Sequence, residues 1–179
     1  SALSDGMGSG DVAEKTTDTA LNLIESLFKA GMDAEFILSL VNKLLTVSVD
    51  DNFSAMDIAL VDLQKGDTSF IKIGSPYGFI LSEDGMRFIE GSSLPLGILD
   101  ELHPTTAYQT LEKNDVIVML SDGVTDAFTS SGDLIEFLKT APIHNPQELA
   151  DTIVNKALEL SGGAPEDDMT AVCVRLIAA

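Results

Sequence analysis

Three acidic motifs stand where an apolar run meets a loop. Asp5 follows Ser1-Ala2-Leu3-Ser4, Asp122 follows Val116-Ile117-Val118-Met119-Leu120, and Asp167, with Asp168 beside it, precedes the stretch Met169 to Ile177. Carboxylates at strand ends can meet at one edge of a sandwich without being buried in its core, and a divalent cation is the simplest relief of their mutual repulsion. Oxygen-only ligation of that kind suits magnesium or manganese rather than zinc. Each motif alone carries little weight, because Asp-Gly after a strand is commonly a turn and Asp-Asp before one is commonly a loop cap. Their joint occurrence is the signal.

The remaining candidates are weaker. Asp57 lies inside an apolar run, Ala55 to Leu63. A lone buried carboxylate is costly, so it either accepts backbone N–H bonds or serves near the metals, with Ser54 as a neighbouring donor. His103 and His144, the only histidines, sit beside prolines or polar loop residues and read as surface groups. The single cysteine, Cys173, in the apolar stretch Ala171 to Ile177, reads as a buried core thiol. No Ser/His/Asp arrangement suggests covalent catalysis. The glycines of Gly6-Met7-Gly8-Ser9-Gly10 run GxGxG rather than GxGxxG, which argues against a dinucleotide loop.

The elements that would position these acids can be read from periodicity. Ala20, Leu23, Ile24, Leu27 and Phe28 follow a helical period, with Asp11 or Gly10 as cap and Gly31 as terminator. A second helix from about Asp33 carries the stripe Phe36, Ile37, Leu40, Val41, Leu44 and Leu45, and the two pair as a hairpin. From Asn52 the pattern becomes short apolar runs separated by turn residues, an antiparallel meander, with further strands at 86–90, about 105–111 and 115–121. Asp133 then caps a short helix, Pro146 opens a longer one through about Leu160, and Met169 to Ile177 closes the chain as a strand. Two antiparallel sheets with helices on their outer faces account for this order, in one domain spanning residues 1–179.

Composition excludes several classes. The 179 residues, 45% apolar and 22% charged, have the make-up of a globular domain. Ten Lys and Arg against 29 Asp and Glu, a net charge of -19, would repel a phosphate backbone, so no nucleic-acid partner is expected. No apolar run is long enough for a membrane span, and no secretory signal opens the chain.

Ser4-Asp5-Gly6-Met7-Gly8-Ser9-Gly10, Phe53-Ser54-Ala55-Met56-Asp57, Lys72-Ile73-Gly74-Ser75-Pro76, Ser93-Leu94-Pro95-Leu96-Gly97, Ser121-Asp122-Gly123 and Asp167-Asp168-Met169-Thr170 together resemble the protein phosphatase 2C superfamily. They are most similar to its bacterial sporulation branch, stage II sporulation protein E. The six motifs occur in order over essentially the whole chain. The resemblance implies an α+β fold, a four-layer αββα sandwich, and a centre of two manganese or magnesium ions that hydrolyses phosphoserine or phosphothreonine through a metal-activated water attacking phosphorus in line. It implies that Asp5 bridges the ions, that the Gly6 carbonyl binds one, that Asp122 and Asp167 hold the other, and that Asp168 supports them or adds a ligand.

Two departures from the family pattern carry expectations. Met7 stands where the eukaryotic branch has a histidine able to act as an acid. The family also draws a further acidic ligand from a strand upstream of the first Asp-Gly, so the domain is expected to lack its N-terminal strands, to load metal incompletely and to turn over weakly. The resemblance further implies that the segment 11–45 acts as a regulatory switch. It implies a phosphorylated anti-anti-sigma factor as substrate and a cytoplasmic location with tethering to the membrane through a preceding segment, and a homodimer is compatible with it. The competing readings are a catalytically idle scaffolding domain that binds a protein partner, and a magnesium-binding adhesion or receiver-like module. The latter lacks the alternating βαβ order it would need.

Overall fold

The structure, a computed structural model, describes residues 1–7, 11–47, 53–91 and 93–177. In chain order it runs β1 (Ala2–Met7), α1 (Asp11–Lys29), α2 (Ala34–Val47), β2 (Phe53–Val61), β3 (Asp67–Ile73), β4 (Gly78–Ser82), β5 (Gly85–Ile89), β6 (Thr105–Thr110), β7 (Val116–Leu120), α3 (Asp122–Asp126), α4 (Ser131–Thr140), α5 (Pro146–Leu160) and β8 (Ala171–Arg175). The strands form two four-stranded antiparallel sheets, β1-β2-β3-β6 and β5-β4-β7-β8.

Side-chain alternation divides the apolar residues into three layers of core. Met56 and Ile58 of β2, with Ile71 and Ile73 of β3, face α1 and α2 and pack on Ala20, Ile24, Ile37, Leu38 and Val41. Val116, Val118 and Leu120 of β7 face the other way, onto Leu134 and Leu138 of α4 and Leu149, Ile153 and Ala157 of α5. The interleaved positions, Ala59 and Phe70 from one sheet and Ile80, Ile117 and Met119 from the other, meet between the sheets. Helices, sheet, sheet and helices are thus the four layers of an αββα sandwich. The uninterrupted apolar run of β7 is the consequence of burial on both faces.

Turn and cap chemistry agrees with these elements. Asp62 Oδ1 accepts the N–H of Gln64 at 2.8 Å to open the β2–β3 turn, and Gly66 closes it at φ 76°. A Cβ on Gly66 would stand 2.2 Å from the Leu111 carbonyl oxygen, so no other residue fits there. Asn145 caps α5, accepting from the N–H groups of Gln147 and Glu148 ahead of Pro146.

Several local expectations change. The segment around Asp5 is not a strand stub followed by a turn, because β1 runs through Gly6 to Met7, paired with Phe53. Gly10, the alternative cap for the first helix, and Asn52, where the pattern changes to short apolar runs, lie outside the described residues. The buried face of α2 is Ile37, Leu38 and Val41, while Phe36 and Leu44 are each 54% exposed, so the stripe is rotated relative to the apolar period. Ser130, not Asp133, is the N-cap of α4. Its hydroxyl accepts the Asp133 N–H at 3.2 Å and donates to Asp133 Oδ2 at 2.9 Å, a reciprocal cap.

Candidate metal centre

The four aspartates come from three separate stretches of chain and meet at one end of the sandwich. Asp5 lies on β1 opposite Ala55 of β2. It shares the inner face of its sheet with Leu3, which packs into the core between the sheets. Asp122 stands at the other sheet, where β7 ends and α3 begins, so it occupies the first turn of a short helix rather than a loop. Asp167 and Asp168 lie just before β8, which pairs with β7.

Backbone packing holds the second and third stretches together. The N–H of Ser121 donates to the Thr170 carbonyl at 3.0 Å, its hydroxyl donates to the Asp168 carbonyl at 2.9 Å, and the same hydroxyl accepts the Thr170 N–H at 2.9 Å. Gly123 lies so close to that segment that a Cβ would stand 2.5 Å from the Asp168 carbonyl oxygen. Ser121 and Gly123 therefore fix Asp122 relative to Asp167 and Asp168. The sequence singles out Asp122 as a ligand but assigns no role to Ser121 and Gly123, although a serine and a glycine bracketing an acid at a strand end are the available signal.

Electrostatics shows how near the carboxylates are. The Asp5 carboxyl is pushed up from 3.8 to about 6, first by burial, then by the charge of Asp122 and a side-chain hydrogen bond with it, then by Asp167 and Asp168. Two further carboxylate oxygens are turned onto the backbone: Asp122 Oδ1 accepts the Gly123 N–H and Asp167 Oδ1 the Asp168 N–H, each at 2.8 Å. Among the described residues no three acidic, histidine or cysteine side chains are already drawn into a ligand cage. The donor set nonetheless fits a hard divalent cation. It is all oxygen and it carries a repulsion, registered at Asp5, that such a cation would remove.

The other candidates fall away from this centre. Among the described residues Asp57 accepts neither backbone N–H bonds nor a bond from Ser54. It faces Lys72 across the β2–β3 pair, Oδ2 to Nζ at 2.5 Å, with both side chains almost fully buried. Burial pushes Asp57 up and Lys72 down, each shift opposed by the partner's charge. Gly91 leaves room for the lysine, a Cβ there standing 2.5 Å from Lys72 Cβ. Lys72 was missed in the sequence, where a lone lysine in Phe70-Ile71-Lys72-Ile73 was the sign that a buried acid had a partner. His103 is exposed beside Glu101, and His144 is exposed, its carbonyl accepting from Arg175. Cys173 is half-buried against the core, and burial pushes its thiol up to about 12, far from a reactive thiolate.

A two-sheet αββα sandwich with aspartates gathered at one end is the architecture of the PP2C phosphatases, and solved structures of that class superimpose on it. Residues 1–177 match the family described as Stage II sporulation protein E (SpoIIE), and the chain belongs to that family. It is 32% identical to stage II sporulation protein E of Bacillus subtilis over 98% of this chain and 22% of that protein. It is 28% identical to the phosphoserine phosphatase RsbU of Bacillus subtilis, over 97% of this chain and 54% of the relative. The chain thus spans from about a fifth to about half of the length of these relatives. The structure of the PP2C phosphatase domain and a fragment of the regulatory domain of Bacillus subtilis SpoIIE superimposes with a TM-score of 0.87 at 31% identity, covering 97% of this chain and 53% of that one. The catalytic domain of the serine/threonine protein phosphatase PstP, in complex with two manganese ions, shares the fold at 17% identity, with a TM-score of 0.74 over 96% of this chain and 85% of that one.

Proposed function

We propose that this chain is a metal-dependent protein serine/threonine phosphatase domain, acting on phosphoserine or phosphothreonine of a regulatory protein. The observation that carries the reading is the convergence of Asp122, Asp167 and Asp168 on Asp5, whose carboxyl burial and these neighbours together push up to about 6. Asp5, the Gly6 carbonyl, Asp122 and Asp167 are the residues that would hold manganese or magnesium, with Asp168 at their side. When bound, two such ions supply neutralisation of phosphoryl charge and activation of a water nucleophile near neutral pH.

The chain's own contributions follow from its geometry. Asp5 must shed its proton to bind a cation, and with a carboxyl near 6 it does so as the pH approaches neutrality. Ser121 and Gly123 keep Asp122 against the Asp167–Asp168 segment, so those three carboxylates are presented as one unit. No side chain is poised as a covalent nucleophile at this end of the sandwich among the described residues, which favours direct attack by water. Among the described residues no helix is long and apolar enough to cross a membrane.

The likeness to RsbU, a phosphoserine phosphatase by name, supports phosphoserine as the group hydrolysed. The resemblance to the sporulation branch suggests an anti-anti-sigma factor as the protein that carries it. The test is phosphate release from a phosphoserine-bearing protein of that class with manganese, with magnesium and with chelator, for the wild type, Asp122→Asn and Asp167→Asn. Metal-dependent release that both substitutions abolish is expected. Equal release from the variants would overturn the reading, and metal binding without release from the wild type would favour the idle scaffolding domain.

A further inference from the structure

Asn42 is an anomaly in α2. It lies on the same buried face as Ile37, Leu38 and Val41, and it is only 1% exposed. Both polar atoms of its side chain are directed at one loop. Nδ2 donates to the Leu99 carbonyl at 2.8 Å and the Asp100 carbonyl at 3.4 Å, and Oδ1 accepts the Gly97 N–H at 2.9 Å. Next to Gly97, which is held at φ 89°, Leu96 exchanges both of its backbone hydrogen bonds with Ser54, at 3.1 and 2.9 Å.

Ser54 is fully buried and sits opposite Gly6 in the β1–β2 register. It shares a strand face with Met56 and Ile58, which pack under the helices, so it meets β1 from the side opposite the Asp5 carboxyl. Its hydroxyl lies 2.8 Å from Ser4 Oγ and 3.1 Å from the Asp5 carbonyl oxygen. With one proton per hydroxyl, the pair is satisfied when Ser4 donates to Ser54 and Ser54 donates to Asp5.

We propose that Ser54 is a positioning residue for the metal centre, gripping the Asp5–Gly6 peptide from behind, and that Asn42 holds Ser54 in place through Leu96 and Gly97. This rests on the reading of Asp5 and Gly6 as metal-binding groups. The gripped carbonyl belongs to the peptide unit joining those two residues. The torsions at the two ends of that unit, ψ of Asp5 and φ of Gly6, set how the Asp5 side chain and the Gly6 carbonyl are oriented relative to each other, and Gly6 has no side chain to resist a change. A buried polar chain with each member satisfied specifies one orientation where apolar packing would permit several.

The test is manganese titration by calorimetry, with metal-free melting temperatures measured alongside, for the wild type, Ser54→Ala, Ser54→Thr, Ser4→Ala, Asn42→Ser and Asp122→Asn. Ser130→Ala, which removes the α4 cap and lies outside the chain of bonds from Asn42 to Ser54, serves as a control for general destabilisation. Loss of one buried hydrogen bond at the site should weaken manganese binding about tenfold in Ser54→Ala and about threefold in Ser4→Ala and Asn42→Ser. Ser54→Thr, which keeps the hydroxyl, should recover most of the affinity, and Ser130→Ala should bind as the wild type does. Wild-type affinity in Ser54→Ala, with binding lost in Asp122→Asn, would overturn the proposal and leave the metal reading standing. Unchanged binding in Asp122→Asn would instead overturn the metal reading beneath it. Should Ser54→Ala fail to fold, wild-type affinity in both Ser4→Ala and Asn42→Ser would overturn the proposal.

Discussion

Lys72 Nζ and Asp57 Oδ2 lie 2.5 Å apart between the two sheets, on the same face of β2 as Ala55, the cross-strand neighbour of Asp5, and one step deeper along the strand. Below them the space is filled by Ala59, Phe70 and Ile80. The pair therefore divides the acidic end of the sandwich from its dry interior. Asp57 Oδ1 has no hydrogen-bond partner among the described residues, so the desolvation of this pair is only partly compensated.

That arrangement predicts strong non-additivity. Asp57→Asn or Lys72→Met alone strands the other group in the core and should cost roughly 3–5 kcal/mol. Asp57→Leu combined with Lys72→Met replaces both by apolar groups and should be near neutral or stabilising. Urea unfolding of the two single variants and the double variant measures the coupling. A double variant as unstable as the sum of the singles would show that the pair is not coupled.

Gly123→Ala places a methyl group 2.5 Å from the Asp168 carbonyl oxygen. Backbone must move to admit it, at a cost of about 1–3 kcal/mol. The movement separates Asp122 from Asp167 and Asp168, so manganese affinity should fall by more than the change in stability alone would produce. Calorimetry and thermal melts on the same sample check this, and unchanged metal binding would count against the proposed role of the Ser121–Gly123 clamp.

The pH dependence of the metal-free protein follows from Asp5. Its folded pKa, about 6, lies above the ordinary 3.8, so the folded state binds this proton more tightly than the unfolded chain does. Its contribution to stability is complete below 3.8 and is lost as the pH rises through about 6. Because the group is half exposed, solvent screening reduces the effect to about 1 kcal/mol. Asp5→Asn should abolish this component in chelator, read as the difference between two urea-unfolding profiles taken from about pH 4 to 7. Manganese affinity has the opposite sense and should rise over the same range. A parallel pair of profiles would remove Asp5 as the titrating group.

Much of the architecture was legible because its cause is local. The apolar run that β7 buries and the Pro146 start of α5 both belong to neighbouring residues in the chain. The acidic centre was legible at the level of residue type, since Asp5, Asp122, Asp167 and Asp168 do converge. What escaped depends on register between distant segments. Nothing near Asp57 in the chain reveals that it faces Lys72, fifteen residues on. Nothing near Ser54 reveals that it bonds to Ser4 and Leu96 rather than to Asp57. The buried face of α2 was misplaced for the same reason, because the sheet and the 93–100 loop decide which of its apolar residues are covered, and they cover Asn42 ahead of Leu44.

Asn145→Ala provides a contrast with these site variants. It removes the acceptor for two N–H groups at the start of α5 and should cost about 1 kcal/mol. Because the start of α5 lies by Arg175, which donates to the His144 carbonyl at the end of β8 opposite Asp167, manganese affinity should not change. Thermal melts and calorimetry report the two quantities, and a loss of affinity matching the loss of stability would show that the metal centre merely follows global stability.

The central claim is that Asp5, Asp122 and Asp167 hold a divalent cation together. Calorimetric titration of manganese at neutral pH into the wild type, Asp5→Asn, Asp122→Asn and Asp167→Asn tests it most directly. Saturable binding by the wild type, with affinity reduced at least tenfold by each substitution, is the predicted result. Binding that survives all three substitutions unchanged, or that the wild type lacks, would contradict it.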